Sequence, residues 1–286
     1  KFIGPQPVSM SLNELIPDNP YSILQGYVVT EKADGIRAEL FIDVEKTGYL
    51  ITQKMEIIHT GLEFSGLEAE TSNQPKANPG SDKMGQWLLD GEYITKNRDG
   101  EPIRLFMIFD IYYSDNGKYP THPYTMPWIS KDKSECRSSI LHEFKEKIKM
   151  KSVKISNLKH GILSLNWSED KHEIDTKDTI RIGFKQYYEG PKVLKTNKKD
   201  PSKYTNIGGI GKISKKILDI DEKKKGYEYS IDGLIYLPMY LSVGSNNEEL
   251  IKNNINGTWY QNYKWKPPEE NTIDFRIRFV KEEIKG

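Results

Sequence analysis

From Tyr27 onward the chain alternates short β-rich runs with glycine-containing turns, and this pattern constrains the fold more than any other feature. Tyr27-Val28-Val29-Thr30, Ile36 to Asp43 and Tyr49 to Thr52 are separated by Ala33-Asp34-Gly35 and Lys46-Thr47-Gly48. β-Branched and aromatic side chains fit a pleated surface, and glycine frees the backbone at tight turns, so these runs predict successive antiparallel strands. Trp87-Leu88-Leu89 opens another strand that runs into Asp90-Gly91-Glu92-Tyr93-Ile94. A turn at Asn97-Arg98-Asp99-Gly100 leads to Leu105 through Tyr113, whose apolar density predicts a strand buried on both faces at the sheet centre. Tyr229 to Leu237 and Trp259 to Lys266 predict two more strands, the second ended by Pro267-Pro268, which lack backbone donors.

Helices are few. Ser11 is placed to cap a short turn over Ser11-Leu12-Asn13-Glu14-Leu15 in a proline-rich lead-in, residues 1–26. Ile140, Leu141, Phe144 and Ile148 recur at helical spacing, and a second helix is expected over Ile213 to Asp221. Gly208-Gly209-Ile210-Gly211 reads as a plain turn, because no Gly-Lys-Ser/Thr follows and no strong strand precedes it. Residues 65–83 read as a long loop and the Lys-rich 190–228 as an insertion. The fold class expected is α+β, mainly antiparallel sheets with flanking helices.

Composition excludes several functions. With 286 residues and 36% hydrophobic content there is material for a sizeable core, and 17 Tyr argue against extensive disorder. No stretch approaches the roughly 20 apolar residues of a membrane-spanning helix. The single cysteine, Cys136, sits in a polar stretch expected to be exposed; it cannot form an internal disulfide, which fits a reducing, cytoplasmic setting. The opening Lys1-Phe2-Ile3-Gly4-Pro5 has no signal-peptide pattern and reads as the start of a fragment from a longer polypeptide. The five histidines never recur at metal-site spacing, and no Gly-x-Ser-x-Gly elbow occurs. Chemistry must therefore come from lysines and carboxylates.

Four such groups lie at strand ends beside glycine or tryptophan: Lys32-Ala33-Asp34-Gly35-Ile36-Arg37, Asp90-Gly91-Glu92, Ser230-Ile231-Asp232-Gly233 and Lys264-Trp265-Lys266. Each alone also fits a turn or a solvated strand. Strand periodicity puts Lys264 and Lys266 on one face, which is unfavourable unless an anion lies between them.

In this order the motifs resemble the covalent nucleotidyltransferase superfamily of mRNA capping enzymes and ATP-dependent ligases. Lys32, Asp34, Gly35 and Arg37 match K-x-D-G-x-R; Leu89 to Glu92, Phe109-Asp110, Ile231 to Ile235 and Tyr263 to Pro267 match the later motifs. The run from Lys264 through Phe275, and Asp at position 232, are more similar to capping guanylyltransferases, and the overall wording, including Ile3-Gly4-Pro5-Gln6-Pro7 ahead of Thr30 to Gly35, is most similar to those of large cytoplasmic DNA viruses. The resemblance implies a nucleotide-binding cleft within residues 27–268 and a C-terminal OB-fold that is missing or only begun in 269–286. It implies that Lys32 attacks the α-phosphate of GTP and passes GMP to 5′-diphosphate RNA. It further implies that Arg37 and Glu92 contact ribose, Phe109 stacks on guanine, and Lys264 and Lys266 hold the α-phosphate. Glu92 and Asp232 would organise Mg²⁺ or Mn²⁺, and Lys54 would stand where relatives carry an arginine. RNA triphosphatase and methyltransferase domains on the same full-length chain are the expected partners, with no membrane. An ATP-dependent ligase adenylation domain and a non-catalytic RNA-end or partner-binding module are the alternatives.

Overall fold

The computed structural model describes residues 1–66, 85–115, 118, 120–131, 135–152, 154–159, 162–166, 180–190, 209–222, 226–246 and 254–270. Most of the loop expected over 65–83, much of the 190–228 insertion and nearly all of the 269–286 stretch lie outside these residues. In chain order the strands begin with β1 (Gln6–Ser9), β2 (Tyr27–Ala33), β3 (Ile36–Ile42), β4 (Thr47–Thr52), β5 (Ile57–Ser65), β6 (Trp87–Lys96) and β7 (Pro102–Ser114). Helix α1 (Arg137–Lys147) precedes β8 (Lys149–Ser152), β9 (Lys154–Lys159), β10 (Ile162–Asn166), β11 (Arg181–Phe184) and β12 (Tyr188–Glu189). Helix α2 (Gly209–Glu222), β13 (Ile231–Pro238) and β14 (Thr258–Trp265) complete the series. The α+β class expected from the sequence is the class observed.

Two sheets face one another: five strands in the order β1-β14-β13-β2-β12, and seven in the order β11-β7-β6-β3-β4-β5-β8. Strand alternation divides the residues of the smaller sheet between two cores. Val28 and Leu237 join Leu40, Ile42, Leu50, Leu89 and Phe106 of the larger sheet in one buried cluster. Val29, Leu234 and Tyr236 pack on the opposite side with Ile210 and Ile217 of α2. Helix α1 buries Ile140, Leu141 and Phe144, and the Phe144 ring lies 5.0 Å from that of Trp87. Each large apolar side chain removed from water in this way contributes about 1.5–3 kcal/mol.

Four expectations need correction. β2 and β3 are consecutive in the chain yet belong to different sheets, so Ala33-Asp34-Gly35 is a crossing and not a hairpin turn. The Asp34 amide is instead tied to the Ser230 carbonyl at 3.0 Å. β7 is penultimate, because β11 adds a parallel strand on its outer side, and β3 occupies the centre. The lead-in carries β1, which pairs in parallel with β14, and its expected cap is present: Ser11 caps the 3-10 turn Leu12–Leu15, with a reciprocal bond from its amide to Glu14 at 2.7 Å. Gly209 to Gly211 form the first turn of α2. Cys136 is buried, since it stands at the N-cap of α1, where that helix docks on the larger sheet.

Candidate active site

The crossing at Asp34-Gly35 places Lys32 at the end of a strand in one sheet and Arg37 near the start of a strand in the other. Between the sheets lies a cleft of about 280 Å³. Its walls include Lys32, Gly35, Arg37, Glu92, Phe109 and Lys264. Gly35 is required by space, because a Cβ there would lie 2.8 Å from both Glu92 Cγ and the Tyr93 carbonyl oxygen.

The Lys32 ammonium donates to both oxygens of Asp232, at 2.7 and 2.9 Å. Lys266 reaches the second oxygen at 2.6 Å. A break in the β13–β2 register between Ile231 and Leu234 brings Asp232 to this position. Gly233 makes the break possible: its φ is +145°, and a Cβ would lie 1.9 Å from the Trp265 carbonyl oxygen. Part of the anion expected near Lys264 and Lys266 is thus the protein's own carboxylate. Burial raises the Asp232 pKa, but hydrogen bonds from Lys266 and Lys32 outweigh it and hold the carboxyl below its ordinary range.

Arg37 is less available than its motif suggests. Its Nε and Nη2 grip Asp90 at 3.1 and 2.5 Å, and Nη1 donates to the Pro5 carbonyl at 2.9 Å. Tyr112 donates to the same Asp90 at 2.6 Å, so the guanidinium is committed to a buried network. It joins the cleft floor to the strap Gly4-Pro5-Gln6-Pro7, whose last three residues line the same cleft. As folded, the donors of Arg37 serve Asp90 and Pro5, while its side chain lines the cleft as the expected ribose contact requires.

Phe109 faces the cleft with Lys185 Nζ 5.5 Å and Arg37 Cζ 5.8 Å from its ring centre. Glu92 lies opposite Arg37 across β3 and β6. Burial raises its pKa, opposed by Lys185, Lys32 and Arg37.

Two other expected residues fall elsewhere. Asp34 is exposed and does not line the cleft. Lys54 is exposed in the turn after β4, because the strand ends at Thr52 and the chain reverses through Met55 (φ 63°); Gln53 lines the cleft instead. As a metal pair, Glu92 and Asp232 fit only in part. No three His, Cys, Asp or Glu side chains gather among the described residues, and both Asp232 oxygens are taken by ammonium groups. Of the two, only Glu92 lines the cleft. That fits a magnesium-like ion held chiefly by substrate phosphates and water.

Sequence reasoning missed Lys185, Tyr112, Tyr187, Asn262 and the strap. Lys185 directly follows the short β11 and also donates to the Glu31 carbonyl at 3.2 Å. Its signal was a lysine closing Arg181-Ile182-Gly183-Phe184, set behind a long insertion.

The family model described as mRNA capping enzyme, catalytic domain, matches residues 1–180. The chain belongs to this family. The match includes Lys32, Arg37, Glu92 and Phe109, and the fold adds Asp232, Lys264 and Lys266 from beyond it. The probable mRNA-capping enzyme of Acanthamoeba polyphaga mimivirus is 28% identical over 294 residues, covering 96% of this chain and 21% of that protein. The mRNA-capping enzyme of Danio rerio is 23% identical over 286 residues, covering 98% of this chain and 35% of that protein. This capping-family chain therefore spans 21% to 35% of the length of these relatives. Among solved structures, a mycobacterial DNA ligase D complexed with ATP and MES is similar over 92% of this chain and 60% of that chain, with a TM-score of 0.44 and 12% identity.

Proposed function

We propose that this capping-family chain is an mRNA guanylyltransferase domain with Lys32 as its nucleophile. The observation that carries the reading is a lysine on the wall of a nucleotide-sized cleft, bonded to Asp232 and sharing that carboxylate with Lys266. The cleft also has an aromatic platform, Phe109, on the opposite sheet.

In the first step the Lys32 ammonium gives up a proton and leaves Asp232. Its Nζ then forms a P–N bond to the α-phosphorus of GTP as the P–O bond to pyrophosphate breaks. In the second step an oxygen of a 5′-diphosphate RNA end attacks the same phosphorus, the P–N bond breaks, and the lysine is regenerated as GMP is transferred. Lys264 and Lys266 supply positive charge for the α-phosphate oxygens, where fixed charge matters most as negative charge redistributes. Phe109 carries the base, and Glu92 would hold Mg²⁺ or Mn²⁺ directly or through water. When bound, that ion neutralises the departing pyrophosphate. RNA triphosphatase and methyltransferase activities supply the diphosphate end and consume the capped product, and we place them on the same full-length chain.

Exchange of labelled pyrophosphate into GTP tests the first step alone. The wild-type chain should catalyse exchange with GTP, and Lys32→Arg, which keeps the charge but cannot be deprotonated, should not. Exchange that survives in Lys32→Arg would refute the assignment.

A further inference from the structure

We propose, on the reading of this cleft as a guanylyltransferase site, that Asn262 selects guanine by accepting a hydrogen bond from the 2-amino group of the base. Asn262 lines the cleft from β14, and its Oδ1 is buried with no hydrogen-bond partner. Buried polar groups in native proteins are nearly always paired, so a cleft-lining carboxamide whose oxygen has no partner has hydrogen-bonding capacity left for a ligand donor. A half-turn of the carboxamide exchanges its oxygen and nitrogen with almost no change of shape, which lets the acceptor meet that donor.

The chemistry of the ligand narrows the donor. A triphosphate offers oxygen acceptors, so an acceptor in the wall must read the nucleoside. Asn262 lies one two-residue step from Lys264, or about 7 Å along the same strand face. In the β13–β14 register Ile235 faces Lys264, which brings Leu237 beside Asn262. Leu237, Ile235, Trp259, Phe109 and Tyr187 supply the cleft's apolar lining and Lys32, Lys264 and Glu92 its charge, and Leu237 is the apolar residue beside Asn262. A flat base belongs against the apolar lining, the ribose and phosphates against the charged residues. There, guanine presents a 2-amino donor where adenine and hypoxanthine carry only C–H. Adenine would leave Oδ1 unpaired, so the site discriminates by penalty as well as by attraction.

The test is equilibrium binding of GTP, ITP and ATP to the whole chain, for the wild type, Asn262→Leu and Asn262→Asp, with thermal melts of all three. ITP differs from GTP only by the missing 2-amino group. The wild type should bind GTP about tenfold more tightly than ITP. Asn262→Leu should bring the two affinities together by weakening GTP, and Asn262→Asp, which keeps an acceptor in the same shape, should preserve the difference. Equal GTP and ITP affinity in the wild type overturns the assignment without needing any variant to fold. So does a preference that persists in Asn262→Leu or disappears in Asn262→Asp. Tighter binding of ATP than GTP would instead refute the guanylyltransferase reading.

Discussion

Asp232 holds Lys32 through both of its carboxylate oxygens, at 2.7 and 2.9 Å, and so fixes the proposed nucleophile on the wall of the cleft. The same carboxylate takes Lys266 at 2.6 Å, leaving one negative charge between two positive ones. On the proposed function, an incoming α-phosphate would complete the neutralisation that Asp232 begins, and the lysine would exchange its carboxylate partner for the phosphorus it attacks.

Replacing Asp232 by Asn should therefore lower adduct formation by more than about tenfold, because two lysines are left without their shared counter-charge. The variant should also change the acid limb of stability. A carboxyl depressed by its partners stabilises the fold fully above its unfolded value, and this contribution is lost as pH falls through the depressed folded value. Thermal melts in steps from about pH 5 to pH 2 should be flatter for Asp232→Asn than for the wild type. Parallel acid limbs would contradict the pairing.

Glu39 titrates in the opposite sense. It faces Asp90 across β3 and β6, and its Oε1 is buried without a partner. Burial and the Asp90 charge, opposed by Arg37, the Ile3 amide and the chain's amino terminus, push its carboxyl from 4.5 up to about 8. A raised carboxyl contributes stability below its unfolded value and loses it as pH rises through the folded one. Glu39→Gln should thus melt close to the wild type at about pH 4 and several degrees above it at about pH 9. A pH-independent difference would contradict a protonated Glu39.

Arg137 is buried at the start of α1 and joins Asp110 at 2.8 Å, beside the cleft. Removing one partner strands the other charge in the interior, so Arg137→Met should cost about 3–5 kcal/mol in denaturant unfolding. Adding Asp110→Asn should recover part of that loss. A double variant as unstable as the sum of the two singles would show that the pair is not coupled.

The legible parts of the site were those whose chemistry and backbone need are local. Lys32 beside Gly35 and Asp232 beside Gly233 combine a charge with a glycine that space or φ requires, and both are visible in a few residues. Strand positions followed from β-branched runs, and α1 from the spacing of Ile140, Leu141 and Phe144. Partners distant in sequence were not legible. A two-residue Asp34-Gly35 link looks like a hairpin turn, and only the tertiary packing sends β2 and β3 to separate sheets. Nothing local announces that Gln6 pairs with Thr258, or that Arg37 is held by Asp90 before any ligand arrives. Lys54 was misplaced because motif order does not say where a strand ends; the turn after Thr52 decided it.

Covalent labelling tests the central claim most directly. The chain is incubated with α-phosphate-labelled GTP or ATP and Mg²⁺ or Mn²⁺, and the protein is separated under denaturing conditions, wild type beside Lys32→Ala. Label from GTP but not ATP, lost in Lys32→Ala while the variant still melts cooperatively, is the predicted result. Label taken from ATP in preference to GTP, or label retained by Lys32→Ala, would contradict a guanylyltransferase that acts through Lys32.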